Sequence, residues 1–338
     1  MKRRQRMLNL WLGLFISAVF IFLVLRQIDP RQVASELRKA NVAYLGLTLV
    51  LLVVSYVLRA LRWRYILRPV RTLPRRDVFR VFVIGFMANN VLPARLGELV
   101  RAYLLGRVGQ VSATAALGTI AIERVFDVLM LLLFLVGGGA AAGVLGSTGQ
   151  GVWVTAVLAL VLLAGIYVAS RWGNQLAELA GRLLGRLSPR LAEGVVNLMR
   201  SFVVGLQAMH GVQDIGVVFG GSLVAWTTIT MTLYWTLRAF NVPLSFPASA
   251  FVLGVSGLGV IIPSSPGNVG TLEFFYVSAL SLLAVDPSAA FGFAITLHAL
   301  DWGLVTVMGL IFLWGSGLSL GRLWEVSGSK FEDDETSF

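Results

Sequence analysis

Cysteine is missing from the 338-residue sequence. Its absence excludes a disulfide framework and a thiolate metal site. Histidine is nearly missing too: His210 and His298 stand far apart, without ligand spacing, so neither a metal nor a cofactor is expected. Charge is scarce, at 13% of residues, where soluble domains carry roughly 25%. What fills the chain instead is apolar, 57% of it. Leu8–Leu25, Asn41–Leu58, Val128–Ser170 and Ile215–Leu237 run without a single charge. About 20 apolar residues, each rising ~1.5 Å, cross a ~30 Å hydrocarbon core. The chain reads as an all-α polytopic membrane protein.

The net charge of +11 does not signal nucleic acid, because of where the charges lie. Met1–Arg6 is basic, eight arginines fall between Arg59 and Arg80, and five more between Arg171 and Arg200. Basic clusters flanking apolar spans mark the cytoplasmic side and attract anionic head groups. This gives a multi-pass protein of the plasma (inner) membrane with both termini cytoplasmic. The first apolar run is too long for a signal peptide and lacks a small-residue cleavage site, so it reads as an uncleaved span.

About six full spans are expected: Leu8–Leu25, Asn41–Leu58, Ser112–Gly146, Val152–Ser170, Ile215–Leu237 and Ser288–Trp314. Arg59–Arg80 is expected inside, partly as an interfacial helix anchored by Trp63 and Tyr65. Two further segments are interrupted. Val81–Leu92 and Leu96–Val108 flank Asn89-Asn90 and Pro93, and Phe246–Ile262 and Thr271–Ala284 flank "PSSPGNVG". Each half is too short to span alone, so each pair reads as a re-entrant hairpin. The stretch 171–213 mixes leucine and arginine at helical spacing and reads as an amphipathic cytoplasmic insert.

The order of features recurs. "AALGTIAIERVFD" lies over "AAFGFAITLHALD" at an offset of about 174 residues, matching Asp127 to Asp301 and Arg124 to His298. With one gap, Pro93 falls on Pro266, Gly97 on Gly270 and Arg95 on Asn268. An odd number of spans per half turns the second half upside down, the inverted-repeat plan of secondary transporters. The expected domains are a first repeat, 1–150, an inverted second repeat, 151–318, and a cytoplasmic tail, 319–338.

Ionised groups at membrane depth cost ~2.5–3.5 kcal/mol each on insertion scales and are tolerated when paired or facing water. The candidate substrate-binding residues are Asn89, Asn90, Arg95, Glu98, Arg101, Glu123, Arg124, Asp127, Asn268, Glu273, His298 and Asp301. Pro93, Gly97, Pro266, Gly267 and Gly270 build the breaks. Helix ends and arginine forks both suit phosphate. Several readings stay open. Arg95 and Glu98 form a structural ion pair or meet substrate. Arg124 with Glu123 and Asp127 is a self-satisfied cluster or a functional one. Glu273 partners Arg95 or carries a proton. His298 is packed, or it is a switch.

"NNVLPARLGELVRAYLL", "ERVFD" and "PSSPGNVGTLEF" together resemble the lysylphosphatidylglycerol synthase/flippase transmembrane family. That family includes the flippase portion of the bacterial multiple peptide resistance factor and related archaeal membrane proteins. The carrying residues are Asn90, Pro93, Arg95, Gly97, Glu98 and Arg101, then Pro266, Gly267, Gly270 and Glu273. The resemblance implies a flippase or scramblase moving an anionic or glycosylated lipid, polyprenyl-linked and aminoacylated lipids included, between leaflets. Two alternatives stay open: an integral-membrane enzyme acting on a lipid phosphate, and a transporter of small anionic solutes. With no His-rich motif and no nucleophile–base pair in the sequence, a non-enzyme is expected. Membrane lipids are the expected partners. A homo-oligomer and a separate lipid-modifying enzyme are open as further ones.

Overall fold

The computed structural model describes residues 2–26, 28–92, 96–144, 172–185, 212–262 and 264–319, with scattered positions between 157 and 199 and residue 321. All regular elements among them are helical. They are α1 (Lys2–Leu25), α2 (Pro30–Lys39), α3 (Val42–Leu67), α4 (Arg75–Val91), α5 (Gly97–Gly109), α6 (Ala113–Ala141), α7 (Val212–Ala239), α8 (Phe246–Gly259), α9 (Thr271–Ser281) and α10 (Pro287–Trp314). A 3-10 turn, Pro266–Asn268, precedes α9. Residues 172–185 of the expected insert are helical. The expected span Val152–Ser170 lies almost wholly outside the described residues.

The helices start where side chains can satisfy their free amides. Asp29 caps α2 ahead of Pro30, accepting from the Arg31 amide at 2.8 Å. Asn41, Ser112, Ser245 and Asp286 cap α3, α6, α8 and α10 in the same way. Each oxygen replaces a partner that the first turn of a helix lacks.

The expectation of six spans is corrected downwards for the described residues. Three helices are long and apolar enough to cross a membrane: Val42–Leu67, Gln213–Ala239 and Pro287–Trp314. A fourth span is counted if Gly13–Leu25 and Pro30–Lys39, bent by 85°, act as one. The expected interfacial stretch is also redrawn. α3 does not stop at Leu58 but carries Arg59, Arg62 and Trp63 onward as continuous helix. Trp63 is fully buried rather than an interfacial anchor.

α3 and α7 pack along their full length. Thr48 bonds Thr236 at 3.0 Å, Arg62 bonds Ser222 at 2.9 Å, and Tyr65 bonds Asp214 at 2.5 Å, so the two helices run antiparallel. Around this pair the broken helices cross over: α4 packs on α10, and α8 packs on α6. Glycine permits both crossings. A Cβ on Gly138 of α6 would sit 2.7 Å from the Pro247 carbonyl of α8, and one on Gly309 of α10 would strike Met87 of α4. Two apolar cores result. One joins α3, α4, α5, the start of α6 and the end of α10; the other joins the rest of α6, α7, α8, α9 and the start of α10.

Candidate functional site

The first hairpin closes backbone against backbone. The Gly97 amide donates to Asn89 Oδ1 at 2.8 Å. A Cβ on Gly97 would overlap the Gly85 carbonyl oxygen and the Asn89 side chain, while one on Gly85 would overlap the Arg101 side chain. The two glycines therefore set how closely α4 and α5 approach. The break falls between Val91 and Gly97, as expected; Pro93 and Arg95 themselves lie outside the described residues.

Beside this hairpin five charged side chains form one buried network. Arg101 clasps Glu123 with both terminal nitrogens, at 2.5 and 3.3 Å. Arg124 reaches Glu123 at 2.6 Å and Asp127 at 3.2 Å. Arg62, arriving from α3, donates to Asp127 at 2.8 Å and lies 3.8 Å from Glu123. Trp226 of α7 donates its indole N–H to Asp127 at 3.0 Å. Arg101 also stacks on Trp63, its guanidinium carbon 3.8 Å from the ring centre. Taking such charges out of water costs several kcal/mol each, which good geometry and added hydrogen bonds can offset. Arg101 and Glu123 are sealed, whereas Arg124 keeps 39% of its side chain exposed. Arg124 is thus the part of the cluster that an incoming ligand can touch.

The second hairpin is held by a different chemistry. Glu273 Oε2 accepts the Gly270 amide at 2.7 Å, capping α9. Its Oε1 meets His298 Nδ1 at 2.6 Å, and His298 Nε2 meets the Gly267 carbonyl at 2.9 Å. Gly267 and Gly270 have φ of 70° and 85°, a region that favours glycine. Asn268, with φ of 60°, accepts from the Ser264 hydroxyl at 3.2 Å.

The two hairpin tips meet. A Cβ on Gly267 would lie 3.6 Å from the Asn90 carbonyl and 2.7 Å from Trp302 Nε1. Asn90 in turn donates to Thr306 at 3.0 Å. Asp301 does not join His298 but accepts from the Tyr56 hydroxyl at 2.9 Å. Glu98 is half-buried, within electrostatic reach of Arg101 and Arg124 but in no ion pair among the described residues.

Sequence reasoning missed Arg62, Tyr56, Trp226 and Arg59. Arg59 lies 4.4 Å from the ring centre of Phe86 and within 6 Å of those of Phe82 and Tyr56. Its guanidinium makes no hydrogen bond or ion pair among the described residues, and its Nε is buried without a partner. The available signal was the spacing of Tyr56, Arg59 and Arg62, which places all three on one face of a helix continuing past Leu58.

Residues 10–309 match the family model described as the lysylphosphatidylglycerol synthase TM region. The chain belongs to this family. It is 30% identical to Glycosyltransferase AglD of Haloferax volcanii over 94% of its own length, but spans only 55% of that protein. It is 23% identical to a UPF0104 membrane protein of Methanothermobacter thermautotrophicus over 90% of its length, covering 95% of that relative. Membership fixes a multi-pass membrane protein with a lipid-related function. It also corrects one expectation. A relative matching nearly the whole chain carries an enzyme's name, so the expected non-enzyme does not stand.

Proposed function

We propose that the family's membrane unit binds the phosphate-bearing head group of a lipid between the two hairpins and moves that lipid between leaflets. The observation carrying this reading is Arg59, a half-buried arginine held by aromatic faces with its fork unused. Only its Nε is buried without a partner, and Asp127 and Asp301 balance its charge from beyond hydrogen-bond distance; the planar fork is placed to take an anionic ligand. Arg124 and the Asn90–Gly267 contact adjoin the same region through Phe86 and α4. An apolar crevice of about 270 Å³ between α6, α7 and α8, lined by Leu133, Phe134, Gly138, Leu223 and Phe246, suits an acyl or prenyl chain.

An inverted-repeat plan, with 1–150 and 151–318 as its halves, supports a carrier cycle. Three observations favour it. α3 and α7 are antiparallel, α4 packs on α10 as α8 packs on α6, and two carboxylates exchange donors. Tyr56 of α3 serves Asp301, and Trp226 of α7 serves Asp127.

The test is reconstitution of the full chain into vesicles with fluorescent phosphatidylglycerol, aminoacylated lipid or polyprenyl-phosphate sugar. Exchange of at least one lipid above empty vesicles, slowed about tenfold in Arg59→Ala, supports the reading. No exchange of any of them overturns it. A second reading, glycosyl transfer to a lipid phosphate, is favoured by the name of the Haloferax relative. A lipid that gains the mass of a sugar during incubation with a sugar donor would select it.

A further inference from the structure

The Glu273–His298 pair poses a question of proton accounting. A carbonyl oxygen can only accept, so the 2.9 Å contact with Gly267 requires a hydrogen on His298 Nε2. The 2.6 Å contact between His298 Nδ1 and Glu273 Oε1 requires one more proton between them, on either atom. If that proton leaves, a carboxylate lone pair faces an imidazole lone pair. Moving the remaining hydrogen to Nδ1 restores that contact but turns a lone pair on the Gly267 carbonyl. With the shared proton both bonds form; without it only one can.

What the two bonds hold is the second hairpin tip. Gly267 and Gly270 both lie in the short turn before α9, and the chain Gly270–Glu273–His298–Gly267 closes it like a clasp. The turn is wedged tightly: Ser265 donates its amide to Ser17 of α1 at 3.0 Å, and Gly267 lies against Asn90 and Trp302. Breaking one bond of the clasp frees the tip that touches the first hairpin. The side chains of His298 and Glu273 are 10% and 11% exposed, so the pair is not fully sealed by the protein. Among the described residues, the charged group facing the pair is Asp301, one turn further along α10 and occupied by Tyr56, and the phenol of Tyr276 on α9 is the titratable neighbour within electrostatic reach of Glu273. Ser17 of α1 and Asn90 of α4 bring only neutral polar atoms to the tip.

We propose that the Glu273–His298 pair is the binding site of a coupling proton: the protonated pair keeps the second hairpin tip closed on the first, and proton release opens it. Coupling to lipid movement rests on the lipid reading above; the proton-linked tip does not.

A chain without cysteine accepts a single probe cleanly. Val269 is 46% exposed beside the tip, so Val269→Cys in the full chain carries a spin label there. The label is expected to gain mobility in one step as pH rises, with the steepness of one proton. Glu273→Gln and His298→Gln, which place an amide in the clasp, are expected to abolish the step. A label whose mobility ignores pH overturns the proposal, as does a step surviving in both variants. The second measurement is fluorescent lipid exchange by the unlabelled chain in vesicles with an imposed pH gradient. Exchange that responds to the gradient supports coupling, and exchange indifferent to it overturns coupling. A pH step in the label without any lipid exchange would leave the proton site standing and remove the lipid reading.

Discussion

Laid over one another so that Asp127 meets Asp301, the two halves place Arg124 opposite His298. In the first half every cation in the cluster is an arginine, and arginine stays charged at any pH the protein meets. Asp127 there touches two guanidiniums and an indole. In the second half the matched carboxylate touches one phenol, and the cation is an imidazole able to gain or lose its proton. The first cluster thus rests on fixed charge, and the second on an imidazole–carboxylate pair. Permanent charge suits holding a phosphate; a removable proton suits timing when the site opens.

The contrast can be broken by making the same change on both sides. Asp127→Asn leaves three arginines facing one carboxylate and is expected to cost about 3 kcal/mol or more. Asp301→Asn keeps an acceptor for Tyr56 and is expected to cost less than about 1 kcal/mol. Thermal unfolding in detergent checks both, and equal losses would erase the distinction between the two matched carboxylates.

Gly97→Ala should follow in size, at roughly 1–3 kcal/mol, because α4 and α5 must separate to admit the methyl group. Gly303→Ala is the control on α10: its Cβ meets nothing within 4 Å, so no destabilisation is expected in the same melts. Arg59→Ala is expected to slow lipid exchange about tenfold, equivalent to about 1.4 kcal/mol. Its stability loss should stay within about 1 kcal/mol, the worth of its ring contacts. If exchange is unchanged, Arg59 is only packing. Ser222→Ala removes one of Arg62's bonds and should lower stability by about 1 kcal/mol with the Asp127 contact kept.

Much of the scaffold was legible in the sequence because its signals are local. Asn41 and Ser112 stand at the starts of expected spans, and the break expected at Asn89-Asn90 comes just past them, since α4 runs to Val91. The acidic and basic residues of α6 stood out against an apolar background, and the structure does gather them with Arg101. What stayed hidden depends on distant partners. In a run of eight arginines nothing local tells that Arg62 turns inward, because Asp127 lies 65 residues away. Arg64 on the same helix and Arg68 just past its end serve instead the Leu73 carbonyl and Asp214. Glu273 and His298 were each flagged, but their bond requires α9 and α10 to fold back on one another. The carboxylate donors Tyr56 and Trp226 carry no local mark, since a ring at membrane depth reads equally well as facing lipid.

The exchange of donors across the halves also bears on how the protein is made. Asp127 leaves the ribosome 99 residues ahead of the indole that serves it, and Arg62 precedes its serine by 160. Until α7 arrives, the nascent first half must shelter a charged cluster whose outer wall does not yet exist. A chain stopped before α7 would leave Asp127 without its indole donor and Arg62 without its serine, with that flank of the cluster uncovered.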